Sequence, residues 1–167
     1  ENILVISCYD DKPLNQFASF TLAAPAGQEQ SVAQTRSFSA MTILAEGFAK
    51  IVAGTYQPDV FSQDHSSHIA STLAFIEEYG FKEDYDQYFY LGSGARYGLA
   101  AEAMLKMKEM SLTYAEAYHP MEFRHGPMSM VDERTLVVGL LGEEAYSAEK
   151  AVLEHMRKLG ATTLEFS

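Results

Sequence analysis

The sequence predicts an α/β fold built on a parallel sheet, and two observations carry that expectation. Short apolar, β-branched runs such as "NILVISC" (2–8), "QYFYLG" (87–92) and "TLVVGLLG" (135–142) read as buried strands. Between them lie longer segments whose apolar residues recur at helical spacing, so strands and helices alternate.

The elements follow in order. "NILVISC" runs into the turn-like "YDDKP", and Ser19–Ala23 forms a second strand. "PAGQEQSVAQTRS" leads into a long helix marked by Phe38, Met41, Ala45, Phe48 and Val52 and ended by Gly54. "TYQPD" is a linker, and a second helix spans about Ser66 to Tyr79, stopping at Gly80. "KEDYD" is expected to be a surface loop. After "QYFYLG", "SGARYG" reads as a glycine-rich turn and Leu99 to Met110 as a helix with Leu99, Ala103, Met107 and Met110 on its apolar stripe. "LTYAEAY" forms a strand that enters a loop from His119 to Pro127. Ser147 is the expected N-cap of the last helix, whose stripe is Ala148, Ala151, Val152, Met156 and Leu159, with Gly160 closing it before the strand "TTLEF".

Bulk properties narrow the function. The 167 residues carry a formal charge of −11, the wrong sign for a nucleic-acid partner. No apolar run approaches the ~20 residues that cross a bilayer, so no membrane partner is expected. A single cysteine, Cys8, suits a reducing cytoplasm and reads as a buried strand-end thiol.

Three clusters bear chemistry. "YLGSGARYGLAAEA" resembles a phosphate-cradling turn, because glycines admit a ligand and a helix start offers free N–H groups. A dinucleotide fingerprint would need its third glycine one place earlier than Gly98; with Glu116 as a ribose-binding acid, a nicotinamide enzyme stays open. On the following helix Glu102, Lys106 and Glu109 share a face. They are either a salt-bridged solvent face or a carboxylate base beside an ammonium that keeps it ionised, and spacing does not decide. "RHGP" sets His125 before a rigid Gly-Pro turn, where an imidazole can serve catalysis. "DHSSH" (64–68) and the run His119, Glu122, His125 are poor metal signatures, and no metal is expected.

Taken together, "GSGARYGLAAEAMLKMKE", "AEAY", "EFRHGPMSMVD" and the earlier "GQEQSVAQTRSFSAM" resemble the sugar isomerase (SIS) domain of the glucosamine-6-phosphate synthase family, in order and approximate spacing over nearly the whole chain. The resemblance implies flavodoxin-like, three-layer α/β/α subdomains that bind a phosphosugar. Residues 1–57 would be the C-terminal part of a first SIS subdomain plus a linking helix, and 58–167 a second subdomain, incomplete at its C-terminus. Glu109 matches the base that moves a proton between sugar C1 and C2, Lys106 the lysine one helical turn before it, and His125 the ring-opening histidine given by a neighbouring subunit. A homodimer is therefore implied. Val32, Gln34 and Thr35 match the segment that contacts the sugar, and Ser93 is a further substrate-binding candidate in the glycine turn. Gln34 replaces a serine often found in the synthase, and the family's phosphate loop would lie upstream of Glu1.

The expected reaction is aldose–ketose isomerisation of an amino-sugar phosphate, as in glucosamine-6-phosphate deaminase or the isomerase half of the synthase. It needs no cofactor if the enediol oxygens receive hydrogen bonds. The competing readings are a SIS module that senses a phosphosugar without turnover, and the nicotinamide oxidoreductase.

Overall fold

A computed structural model describes residues 2–58, 64–79 and 85–167. The chain divides into two compact units, Glu1–Tyr79 and Gly80–Ser167. The helix Ser66–Tyr79 thus falls in the first unit, whereas the sequence reading set the boundary near residue 57.

In the first unit β1 (Leu4–Ser7) and β2 (Phe20–Ala23) pair in parallel, Leu4 opposite Phe20. Helix α1 (Arg36–Val52) packs against β1, and α2 (Ser66–Tyr79) closes the unit's sequence. Gly27 makes the packing under α1 possible: a Cβ there would lie 2.6 Å from the Ala40 Cβ and 2.7 Å from the Cys8 Sγ. Cys8 is buried, as its strand-end position predicts.

The second unit carries β3 (Gln87–Gly92), α3 (Ala95–Ser111), β4 (Tyr114–Tyr118), the helical turn α4 (Pro120–Phe123), β5 (Thr135–Leu140), α5 (Tyr146–Lys158) and β6 (Thr162–Phe166). Its sheet is wholly parallel, in the order β4-β3-β5-β6. Since β4 and β6 lie on opposite sides of the β3–β5 pair, right-handed crossovers put α3 and α5 on opposite faces. The result is a three-layer α/β/α sandwich of flavodoxin-like strand order. On the α5 face, Phe89, Leu91 and Val137 pack with Phe123, Val152, Leu153 and Met156. The other face gathers Tyr85, Leu136, Val138 and Leu164.

Several local expectations are corrected. Helix α3 starts at Ala95, four residues before the predicted start, because Gly98 is tolerated inside the helix rather than extending the turn. Its buried residue is Ala100; Leu99 and Met110 of the predicted stripe are exposed. Small residues let this helix lie close on the alanine side of β4, where Ala115 is fully buried. Helix α5 starts at Tyr146 with Ala145 as N-cap, so Ser147 does not cap it. Its buried face is Glu149, Val152, Leu153 and Met156, with Ala148, Ala151 and Leu159 exposed. Of the predicted surface loop 82–86, residues 82–84 lie outside the described residues, and Tyr85 is buried.

Candidate functional site

The expected phosphosugar segment forms the entrance to α1. Thr35 is the N-cap, yet its side chain does not cap the helix. Glu29 does so instead. Its carboxylate accepts from the Thr35 N–H (2.9 Å), the Thr35 hydroxyl (3.0 Å), the Arg36 N–H (3.3 Å) and the Ser37 N–H (3.0 Å). The Ser37 hydroxyl donates to it as well, and these donors, led by that hydroxyl and then the Ser37 N–H, hold the Glu29 carboxyl at a pKa of about 2. Val32, Gln34 and Thr35 are all exposed. The Thr35 hydroxyl is therefore already engaged by a carboxylate of the same loop.

On α3 the three charged residues meet. The Lys106 ammonium lies 2.6 Å from Glu109 and 3.5 Å from Glu102. Side-chain exposures of 18% for Lys106 and 19% for Glu102, against 39% for Glu109, show a row sunk into the surface and open at one end. The hydrogen bond to Glu109 holds Lys106 above the ordinary lysine range, with Glu102 adding to it. Lys108 turns away to pair with Glu116 on β4 at 3.1 Å. Glu116 is thus occupied by a lysine, and Gly98 sits within α3, so the three glycines do not form one turn.

His125 is placed elsewhere. The segment after β4 crosses the α5 face: Phe123 packs 4.9 Å from Phe89 between ring centroids, and farther along the Met130 carbonyl accepts a hydrogen bond from Gln87 at the start of β3. The exposed His125 lies on this crossover, whereas Glu109 is in the last turn of α3 on the opposite face. One copy of the unit does not bring the two together. Ser93 is also distant from Glu109: the 17-residue α3 that separates them is about 25 Å long.

A cleft opens at the carboxyl edge of the sheet, between the turns that follow β3 and β5. It has a volume of about 490 Å³ and is lined by Ser93, Gly94 and Arg96 on one side and Gly142, Ala145 and Glu149 on the other. The sequence reading missed Glu149. The only signal was its phase, one turn before Val152 and Leu153. Among the described residues no group of three or more His, Cys, Asp or Glu side chains could hold a metal ion, and no helix is long and apolar enough to cross a membrane.

Known proteins share this arrangement. Residues 83–166 match the SIS domain family. The chain belongs to the SIS domain family. It is 30% identical over 153 residues to glutamine–fructose-6-phosphate aminotransferase (isomerizing) of Streptococcus pneumoniae, a match that covers 84% of this chain and 25% of that protein. Among solved structures it resembles glucosamine-6-phosphate deaminase from Thermotoga maritima, with 29% identity and a TM-score of 0.83, covering 98% of this chain and 51% of that one. It also resembles tagatose-6-phosphate ketose/aldose isomerase from Escherichia coli, with 28% identity and a TM-score of 0.82, covering 98% and 48%. The SIS chain thus spans about a quarter of the aminotransferase and half of each solved chain.

Proposed function

We propose that this SIS protein isomerises the aldose form of an amino-sugar phosphate to the ketose form, and that its substrate is glucosamine 6-phosphate, converted with one water to fructose 6-phosphate and ammonia. The observation that carries the reading is the Glu102–Lys106–Glu109 row, a carboxylate paired with an ammonium at 2.6 Å and left open on one side. An ionised carboxylate with an open side can take a proton from one sugar carbon and return it to the next. In this role Glu109 is the base, and Lys106 both orients it through their ion pair and offers hydrogen bonds to the enediol oxygens.

His125 opens the sugar ring by moving a proton between the ring oxygen and the anomeric hydroxyl. Its position on the face opposite Glu109 supports its acting in the site of a second copy, so the working form is a homodimer. Val32, Gln34 and Thr35 contact the sugar, and the reaction runs in the cytoplasm without a cofactor.

The test is formation of fructose 6-phosphate from glucosamine 6-phosphate by the protein. Glu109→Gln is expected to lower the rate by about 10²–10⁴, the usual worth of a general base. A loss smaller than about tenfold would remove Glu109 from that role. Binding of the sugar phosphate with no turnover would turn the reading to a sensing module.

A further inference from the structure

The end of α3 carries a strained residue that its own unit does not cover. Leu112 closes the helix in the left-handed region, with φ 56°, where glycine usually stands. Among the described residues it is the one non-glycine with a positive φ. Its side chain is 89% exposed, so packing within the unit does not offset the strain. We propose that Leu112 anchors a self-association surface, on which a second copy of this chain docks about a twofold axis at the amino edge of the second unit's sheet. The choice of a second copy rests on the reaction assigned above, in which Glu109 and His125 of different copies share one site.

Leu112 belongs to an apolar patch. Met110, 65% exposed, precedes it on α3, and the exposed Tyr114 begins β4, an edge strand among the described residues. Tyr114 pairs in register with Gln87 and meets the Phe89 ring edge-on at 6.4 Å between centroids, which places it on the α5 side. The crossover that carries His125 comes down at the same place. The Gln87 side-chain amide donates to the Met130 carbonyl and, at 2.8 Å, to the hydroxyl of Thr135, its register partner on β5. Tyr114, Gln87 and Thr135 therefore stand side by side at the amino ends of three adjacent strands, about 5 Å apart. Met130, itself exposed, lies over them. Met110, Leu112, Tyr114 and Met130 thus gather along one edge, although Glu109 and His125 lie on opposite faces.

A twofold contact has this requirement. A patch that pairs with its own copy must hold both halves of the contact. Here Glu109 adjoins Met110 at one side of the edge, and His125 lies five residues before Met130 at the other. Rotation of a second copy about the edge turns each Glu109 toward the partner's His125. The charges agree with this placement. Glu102 and Glu109 leave the row one carboxylate beyond what Lys106 neutralises. Arg124 is exposed beside His125 and makes no ion pair among the described residues, even with Glu122 on the same turn. The four apolar side chains expose roughly 400 Å² per copy, about half of the ~800 Å² that a stable interface buries on each partner and close to its usual non-polar share.

Sedimentation equilibrium of the chain over about 1–500 µM tests the proposal. The native protein is expected to be a dimer, and Leu112→Gly and Met130→Asp are each expected to raise its dissociation constant by at least about tenfold. Leu112→Gly relieves the left-handed strain, so its urea midpoint at a concentration where both proteins are monomeric should hold or rise. A variant that weakened the dimer by misfolding would show a lower midpoint. Ile51→Asp, on the exposed apolar side of α1 in the first unit, is the control and should leave the dimer intact. A native chain that is monomeric at about 500 µM, or a dimer that survives both substitutions or is broken by Ile51→Asp alone, would overturn the proposal. None of these readouts needs turnover. Failure of the patch is read by sedimentation and failure of the assigned reaction by fructose 6-phosphate formation, so the two are told apart.

Discussion

Helices α1 and α3 begin in opposite ways. At α1 the chain fills its own N-terminus: Glu29 folds back and takes the N–H groups of Thr35, Arg36 and Ser37. At α3 no side chain does this; Gly94 occupies the cap, and Arg96 is left without an ionic partner among the described residues. Every helix start has the same unsatisfied donors. An internal carboxylate converts them into stability and makes that stability sensitive to acid. At α3 the Arg96 and Tyr97 N–H groups turn to the Ser93 and Gly94 carbonyls instead, and the strand enters the helix through a tight backbone approach at Gly92.

The largest test of that contrast is steric. A Cβ at Gly92 would lie 2.5 Å from the Arg96 carbonyl oxygen, a backbone atom that cannot move without unwinding the first turn of α3. Gly92→Ala is expected to cost about 3 kcal/mol or more in urea denaturation. Near α1, Gly27→Ala meets the Ala40 methyl and the Cys8 thiol, overpacking worth about 1–3 kcal/mol. Should Gly27→Ala prove the costlier, the α3 start would not be the more constrained of the two.

Next comes Glu29→Ala, which should lower the melting temperature and blunt its acid dependence. The folded pKa of about 2 lies below the reference 4.5, so the group's contribution is complete above 4.5 and is lost as pH falls toward 2. The gap in stability between the native protein and the variant should therefore be wide at about pH 6 and narrower at about pH 3. An equal gap at both values would mean that Glu29 acts through packing rather than charge.

The smallest effect is the converse experiment. Ser93→Asp supplies α3 with the carboxylate that α1 already has. It should raise stability by about 0.5 kcal/mol in urea denaturation.

Much of the fold could be read from pattern because the strands are apolar along their length. All six residues of β5 except Leu140 are buried, and "TLVVGL" has no other plausible place. The start of α3 could not be read this way, since Gly98 looks like punctuation in sequence and is an interior helix residue in space. Its packing face was hidden for a different reason: Ala100 and Ala115 achieve burial by close approach, and alanine gives almost no periodic hydrophobic signal. The acid–lysine row was legible as a shared face, but its half-burial was not, because that depends on what surrounds α3. Glu149 was the least legible. A glutamate reads as solvent-facing until the Gly142 N–H that anchors it is known.

Helix α3 also acts as a spacer. Its first turn forms one wall of the carboxyl-edge cleft, and its last carries Lys106 and Glu109 within one uninterrupted hydrogen-bonded helix. Such a rod is stiff along its axis, so the separation of its ends is set by residue count rather than by the surrounding packing. Inserting or deleting one residue in its middle would turn one end about 100° relative to the other. The length of α3 is therefore itself under constraint, apart from the identity of any residue along it.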